Sequence, residues 1–141
     1  MGRKNLFVKD WMTPNPYSVS PSMHLSMAEG LMKESDIRRL PVVEDEKLIG
    51  ILTDGDVREA GPSDVSSLGK YETEFLLSGL TVSDVMTKDP VTVSPDDSIR
   101  KLAELMLAKK IGGVPVVEGN QLVGIITVSD IFKVILEVFE E

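Results

Sequence analysis

Two stretches of this chain carry residues whose types and spacing could do chemistry, Thr53-Asp54-Gly55-Asp56 and Thr127-Val128-Ser129-Asp130. Each follows an apolar run and opens a helical pattern, so its last carboxylate lies where backbone N–H groups lack intrahelical partners. A carboxylate held there can accept two hydrogen bonds from a vicinal diol, such as the 2′- and 3′-hydroxyls of a ribose. The threonine hydroxyl three residues earlier can donate to a phosphate or ribose oxygen. The same Thr-x-x-Asp spacing also suits a plain helix cap, in which both side chains satisfy the helix's own N–H groups. A bound anion would need cations, and Arg38, Arg39 and Arg58 stand near the first stretch, where the second copy has Gly112, Gly113 and Phe132. Arginines at helix ends are also favourable without any ligand, so solvated ends are their other reading.

Composition removes most other chemistries. The 141 residues include no cysteine, which excludes disulfides, zinc–thiolate sites, iron–sulfur clusters and thiol catalysis. The single histidine, His24, leaves no His-based metal cluster and argues against a Ser-His-Asp triad. Among Met23, Leu25 and Met27 it reads as a surface residue near a helix start. Asp54-Gly55-Asp56 lacks the third acid and distal glutamate of a calcium loop. With 15 Lys+Arg against 23 Asp+Glu the net charge is −8, which argues against a nucleic-acid partner. Apolar runs are too short to span a membrane, the start carries no secretory h-region, and Leu6 fails the myristoylation pattern. The expectation is a cytoplasmic, non-enzymatic protein with neither a membrane nor a nucleic-acid partner, no metal site and no required cofactor.

The elements that must position these residues come twice. Residues 8–59 align without gaps on 82–133, with 20 identities in 52 positions. Val8-x-Asp10-x-Met12-Thr13 recurs as Val82-x-Asp84-x-Met86-Thr87, and Pro41-Val42-Val43-Glu44 as Pro115-Val116-Val117-Glu118. Gly50-Ile51-x-Thr53-x-x-Asp56 recurs as Gly124-Ile125-x-Thr127-x-x-Asp130. In the second copy Val91-Thr92-Val93 favours a short strand, followed by a turn at Ser94 to Asp97. Ile99, Leu102, Ala103, Met106 and Leu107 then recur at helical spacing, and Gly112-Gly113 is expected to stop that helix. Two strands, Val114 to Val117 and Leu122 to Thr127, flank a turn at Gly119-Asn120, and a last helix starts near Ser129. Its apolar side is expected to comprise Ile131, Val134, Ile135, Val138 and Phe139.

The fold class is therefore α/β in the α+β sense, with two β-α-β-β-α repeats packed about a pseudo-twofold axis. A unit of about 55 residues buries too little surface to stand comfortably alone. The expected organisation is an arm at 1–7, repeat 1 at 8–60, an inter-repeat segment at 61–80 and repeat 2 at 81–141. Within that segment Lys70 to Ser78 reads as a helical turn or two, with Tyr71, Phe75, Leu76 and Leu77 on its apolar side. The seven methionines read as core filler. Trp11, where the second copy has Val85, packs either at an interface or over the adjacent repeat.

The Asp-x-Met-Thr starts, the Pro-Val-Val strands and the Gly-h-h-Thr-x-x-Asp segments (h apolar) resemble the CBS domain, the cystathionine-β-synthase-type domain, whose tandem pair is called a Bateman module. Arg58-Glu59-Ala60-x-Pro62-Ser63 and Tyr71-Glu72-x-x-x-Leu76-Leu77 look like the inter-repeat segment of bacterial acetoin-utilisation-type pairs. The resemblance implies a regulatory module that binds adenosine nucleotides (AMP, ADP or ATP) in the cleft between repeats and transmits ligand state by a change of geometry. It implies ribose and phosphate contacts at Thr53, Asp56, Thr127 and Asp130, with Arg38, Arg39 and Arg58 as phosphate candidates. The adenine slots it implies are Tyr17, Ser18, Val19, Ile37, Leu40 and Pro41, and Val91, Thr92, Val93, Ile111, Val114 and Pro115. The buried sides of Val19, Ile37, Val93 and Ile111 also read as ordinary core. The two sites are expected to be unequal, the chain to form a homodimer, and the regulated partner is unknown. Two alternatives accompany this reading: a ligand-free dimerisation scaffold, and a sensor of S-adenosylmethionine or another adenosyl compound.

Overall fold

The computed structural model describes residues 6–60, 69, 72 and 79–139. Apart from Glu72, the helix expected at 70–78 lies outside them with its apolar residues Tyr71, Phe75, Leu76 and Leu77, as do residues 1–5 and Glu140-Glu141.

The same local physics is written twice. Helix α2 (Leu25–Ser35) buries Leu25, Ala28 and Met32, which share one face at helical spacing. Its counterpart α5 (Ile99–Lys109) buries Ile99, Leu102 and Met106. Both helices end in a left-handed residue, and α5 stops before the glycines expected to end it. Asp36 and Lys110, with φ of 53° and 57°, turn left-handed and cap them, so Gly112-Gly113 is not the stop. Strands β2 (Arg39–Glu44) and β3 (Lys47–Thr53) form an antiparallel hairpin from Arg39↔Thr53 to Glu44↔Lys47. Strands β5 (Gly113–Glu118) and β6 (Gln121–Thr127) repeat that register from Gly113↔Thr127 to Glu118↔Gln121. Helices α3 (Asp54–Ala60) and α6 (Val128–Val138) follow directly. The short strands expected at Val19 and at Val91 to Val93 shrink to single parallel bridges, Val19↔Val42 and Val93↔Val116.

The start of each sequence repeat belongs, structurally, with the other repeat. One compact unit joins the chain through Pro16 to the chain from Val91 onward; the other is Tyr17–Pro90. They are called here the split unit and the central unit. In the split unit, α1 (Val8–Trp11) and β1 (Thr13–Pro14) pack on the second repeat, with Thr13↔Ile125 and Pro14↔Gly124 paired. In the central unit, α4 (Val82–Val85) and β4 (Thr87–Lys88) do the same for the first repeat, with Ile51↔Thr87 and Gly50↔Lys88 paired. Each unit has its own core. Leu25, Leu40, Val42, Leu52 and Val82 are fully buried in the central one, and Val8, Leu102, Val114, Val116 and Ile126 in the split one. Each such side chain contributes about 1.5–3 kcal/mol. Trp11 packs against the second repeat's core, which selects the adjacent-repeat reading. Met32 and Met106 are core, as expected. Leu6 and Phe7 are not part of a loose arm: the Ile99 N–H donates to the Leu6 carbonyl at 2.9 Å, and Phe7 bridges Ser98.

This exchange accounts for the Asp-x-Met-Thr motif. Asp84 caps α4, accepting from the Thr81 N–H at 2.9 Å and the Thr81 hydroxyl at 3.0 Å. The first of these bonds, with the second, holds its carboxyl below the ordinary carboxylate value. Asp97 is lowered likewise, chiefly by the Ser94 N–H, against burial and with help from Lys101. Met86 lies on Gly50 and Met12 on Gly124. A Cβ at Gly50 would stand 2.6 Å from the Met86 sulfur and 2.9 Å from the Thr87 carbonyl oxygen. A thioether can move aside, but the backbone of a paired strand cannot do so cheaply. Gly50→Ala is therefore expected to cost about 1–3 kcal/mol of stability by overpacking. Equilibrium denaturation reads this directly, and an unchanged midpoint and slope would remove the explanation of this glycine.

Candidate functional site

Both Thr-x-x-Asp segments form the helix starts they promised. In the central unit the Thr53 N–H donates to Asp56 Oδ2 at 2.9 Å, and the Asp56 N–H donates to Thr53 Oγ1 at 3.0 Å. This is a reciprocal capping box. In the split unit the Thr127 N–H donates to Asp130 Oδ2 at 2.9 Å and the Thr127 hydroxyl lies 3.4 Å from the same oxygen. The capping function is thus real in both copies. It does not exhaust the carboxylates, because an ionised carboxylate has about four acceptor positions and the caps engage Oδ2. Among the described residues Asp56 Oδ1 meets the Thr87 hydroxyl at 3.5 Å; Asp130 Oδ1 faces Lys133 Nζ at 3.9 Å. Asp130 is 8% exposed, whereas Asp56 is half-buried.

The hairpins bring the remaining candidates alongside. Pairing of Arg39 with Thr53, and the Asp54 N–H donating to the Arg38 carbonyl at 3.0 Å, put 37–41 beside the Thr53–Asp56 turn. Pairing of Gly113 with Thr127, and the Val128 N–H donating to the Gly112 carbonyl at 3.0 Å, repeat this for 111–115. The bridges at Val19 and Val93 add 17–19 and 91–93 to the same hairpins. Each unit therefore gathers one complete set of the expected residues.

Within those sets, burial separates wall from opening. Val19, Leu40, Val93 and Val114 belong to the two cores, and Pro41 and Pro115 are fully buried. The Val19 N–H donates to the Pro41 carbonyl and its own carbonyl accepts from the Val43 N–H, so its backbone is already paired. Val93 is held identically by Pro115 and Val117. Ile37 and Ile111 are half-buried against their cores. Val91 and Thr92 are half-buried, Ser18 is exposed, and the Tyr17 ring is 60% exposed, a free aromatic face. Arg38 and Arg58 are exposed and Arg39 is half-buried, all three in the central unit. Arg58 Nη1 pairs with Asp54 Oδ2 at 3.3 Å, an exposed ion pair worth about 0–1 kcal/mol and easily exchanged for an anion.

Sequence reasoning missed Thr87. Its identity with Thr13 was visible, but no local pattern showed that it would reach the carboxylate of the other repeat's motif.

Among the described residues, no group of three or more His, Cys, Asp and Glu could hold a metal ion, and no helix is long and apolar enough to cross a membrane.

Comparison with known proteins agrees with this geometry. The CBS domain family matches twice, at residues 8–63 and 82–137. The chain is 34% identical over 125 residues to the CBS domain-containing protein YhcV of Bacillus subtilis, covering 88% of this chain and 81% of that one. It is 37% identical over 116 residues, 82% of this chain, to an inosine-5′-monophosphate dehydrogenase of Korarchaeum cryptofilum. The chain spans only 21% of that enzyme's length. Among solved structures, the acetoin utilization protein AcuB of Vibrio cholerae superposes with a TM-score of 0.78 at 32% identity, covering 95% of this chain and 93% of that one. CBSX2, an Arabidopsis thaliana protein, in its complex with AMP gives 0.78 at 31% identity, covering 94% and 97%. The CBS pair of MJ0100 from a complex with 5′-methylthioadenosine and S-adenosyl-L-methionine gives 0.74 at 27% identity, covering 92% and 98%. With the family matched in both halves and its hairpin–helix geometry present in each unit, this chain belongs to the CBS-domain family, as a tandem pair.

Proposed function

We propose that the chain is a non-enzymatic sensor module that binds an adenosine nucleotide, AMP, ADP or ATP, and passes the ligand state on through a change of geometry. One observation carries this reading. In both units the capping carboxylate keeps an oxygen, Oδ1, that the cap does not engage, beside a hairpin whose neighbouring side chains are partly open, Tyr17 and Ser18 in one, Val91 and Thr92 in the other. Asp56 and Asp130 accept from the ribose hydroxyls, Thr53 and Thr127 donate to ribose or phosphate, and adenine lies against the exposed edges of the two slots. Arg38, Arg39 and Arg58 supply the phosphate charge that an acidic chain cannot provide by its overall field. The second copy has Gly112, Gly113 and Phe132 at those places, so the two sites bind unequally. The AMP complex of CBSX2 supports the nucleotide class.

Thermal unfolding with AMP, ADP, ATP and S-adenosylmethionine tests this. Ligand at about 100 times its dissociation constant stabilises by roughly 2.7 kcal/mol, on the order of 5–15 °C at this size. No shift with any of them, in protein stripped of carried-over ligand, would sink the nucleotide reading. A shift with S-adenosylmethionine alone would favour the second reading, which the MJ0100 complex supports.

The module works as a homodimer in this proposal. Helix α6 leaves Val128, Phe132, Ile135, Leu136 and Phe139 exposed on one side, while Val134 is buried on the other. Of the five residues expected on its apolar side, Val134 is buried and Ile131 half-buried. Ile135, Val138 and Phe139 are 44%, 52% and 74% exposed. A soluble protein rarely leaves such a patch uncovered.

A further inference from the structure

Thr87 touches the carboxylate on which the proposed ribose site depends, although it comes from the start of the other sequence repeat. Its hydroxyl lies 3.5 Å from both Asp56 Oδ1 and Asp56 Oδ2. Its position is set by pairing of Thr87 with Ile51 and by the close approach that Gly50 permits. The Thr53 N–H holds only one oxygen of Asp56. The last torsion of an aspartate is broad and roughly twofold, so a carboxylate fixed at one oxygen still swings about that bond. A single hydroxyl donor equidistant from both oxygens biases the plane in which the carboxylate rests.

We propose that Thr87 is a positioning residue that orients the Asp56 carboxylate for a vicinal diol, so that the central unit distinguishes ribose from 2′-deoxyribose. The inference rests on the nucleotide reading above. Two hydroxyls of a ribose need two acceptor directions at once, whereas a 2′-deoxyribose offers one hydroxyl and tolerates a swinging carboxylate. Geometry restricts the effect to the central unit. Thr13 holds the equivalent register opposite Ile125, but among the described residues it makes no bond to Asp130, which faces Lys133 instead.

The test is calorimetric titration of AMP and 2′-deoxy-AMP into the full chain, with Asp56→Asn and Asp130→Asn assigning the two sites. Thr87→Val keeps the β-branched shape and removes the hydroxyl. It is expected to weaken AMP binding at the Asp56 site roughly tenfold, the scale of one lost hydrogen bond, and to weaken 2′-deoxy-AMP far less. Thr87→Ser restores both values, and Thr13→Val changes neither. Unaltered AMP affinity in Thr87→Val would overturn the proposal. So would equal loss of both nucleotides without rescue by serine, because that pattern marks a merely structural role. If Asp56→Asn weakens AMP binding while Thr87→Val does not, only the positioning role fails. If Asp56→Asn and Asp130→Asn both leave binding unchanged, or the chain binds no adenosine nucleotide, the ribose reading fails and this inference with it.

Discussion

Replacing Asp56 and Asp130 together by asparagine is expected to weaken AMP binding at each site by roughly ten- to a hundredfold. The figure follows from the bonds at stake, since a hydrogen bond to a charged acceptor contributes about 1.5–3 kcal/mol. Asparagine keeps one acceptor oxygen and the side-chain volume, so what it removes is the charge and one of the two directions a diol needs. Alanine would be a poorer choice. It would also delete the bonds that Thr53 and Thr127 make to these carboxylates, at about 1 kcal/mol per lost cap. Stability confounds the result little if the unliganded melting point is measured alongside the calorimetry. The buried Asp130, 8% exposed, is the more sensitive of the two, because an amide there must find partners for two donors. Full AMP affinity in a folded double variant would leave the Thr-x-x-Asp motifs as caps and nothing more.

The second large effect concerns association. Phe132→Glu combined with Leu136→Glu is expected to convert a micromolar dimer into a monomer, read by sedimentation velocity. These side chains are 59% and 74% exposed, so the changes cost the fold little, while each copy brings two charges to a face that has none. Val128, Phe132, Ile135, Leu136 and Phe139 recur along one side of α6. A twofold interface apposes the same patch from both copies. For a chain of net charge −8 that patch must be nearly uncharged to avoid repulsion. The corresponding helix of the central unit, α3, exposes Arg58 and Glu59 instead, so the proposed contact is assigned to α6. Its exposed apolar side chains amount to an interface on the order of 1,000 Å² over two copies, about the smallest area of a specific dimer. A wild-type chain that sediments as a monomer at micromolar concentration would end this part of the proposal.

Much of the local structure was readable because its signals are local. Helical spacing marked α5, β-favouring runs around Gly119-Asn120 marked its hairpin, the repeat carried both over to the first copy, and Thr-x-x-Asp marked the helix starts. Burial was harder to read. Ile135, Val138 and Phe139 look as apolar as Val134, and periodicity cannot say which apolar stripe of a helix faces its own core and which is left for a partner. The same difficulty affected the slots. Leu40 and Val114 were expected to line them and are wholly buried in the cores, while Tyr17 stands open.

By itself the amino-acid sequence established the duplication and the type and order of the main elements, and it marked the Thr-x-x-Asp residues of the proposed diol site. All of these depend on side-chain types at short spacing. Which half each motif serves was settled only in the folded chain. Strands β1 and β4 are two residues long, and their partners lie about a hundred and about forty positions away. Pairings so short and so distant leave no periodicity; they arise where Gly124 and Gly50 let a neighbouring strand approach and where Met12 and Met86 fill the space above them. Tertiary packing thus hands the Asp-x-Met-Thr start of one repeat to the Gly-h-h-Thr-x-x-Asp segment of the other, and with it sets Thr87 against Asp56.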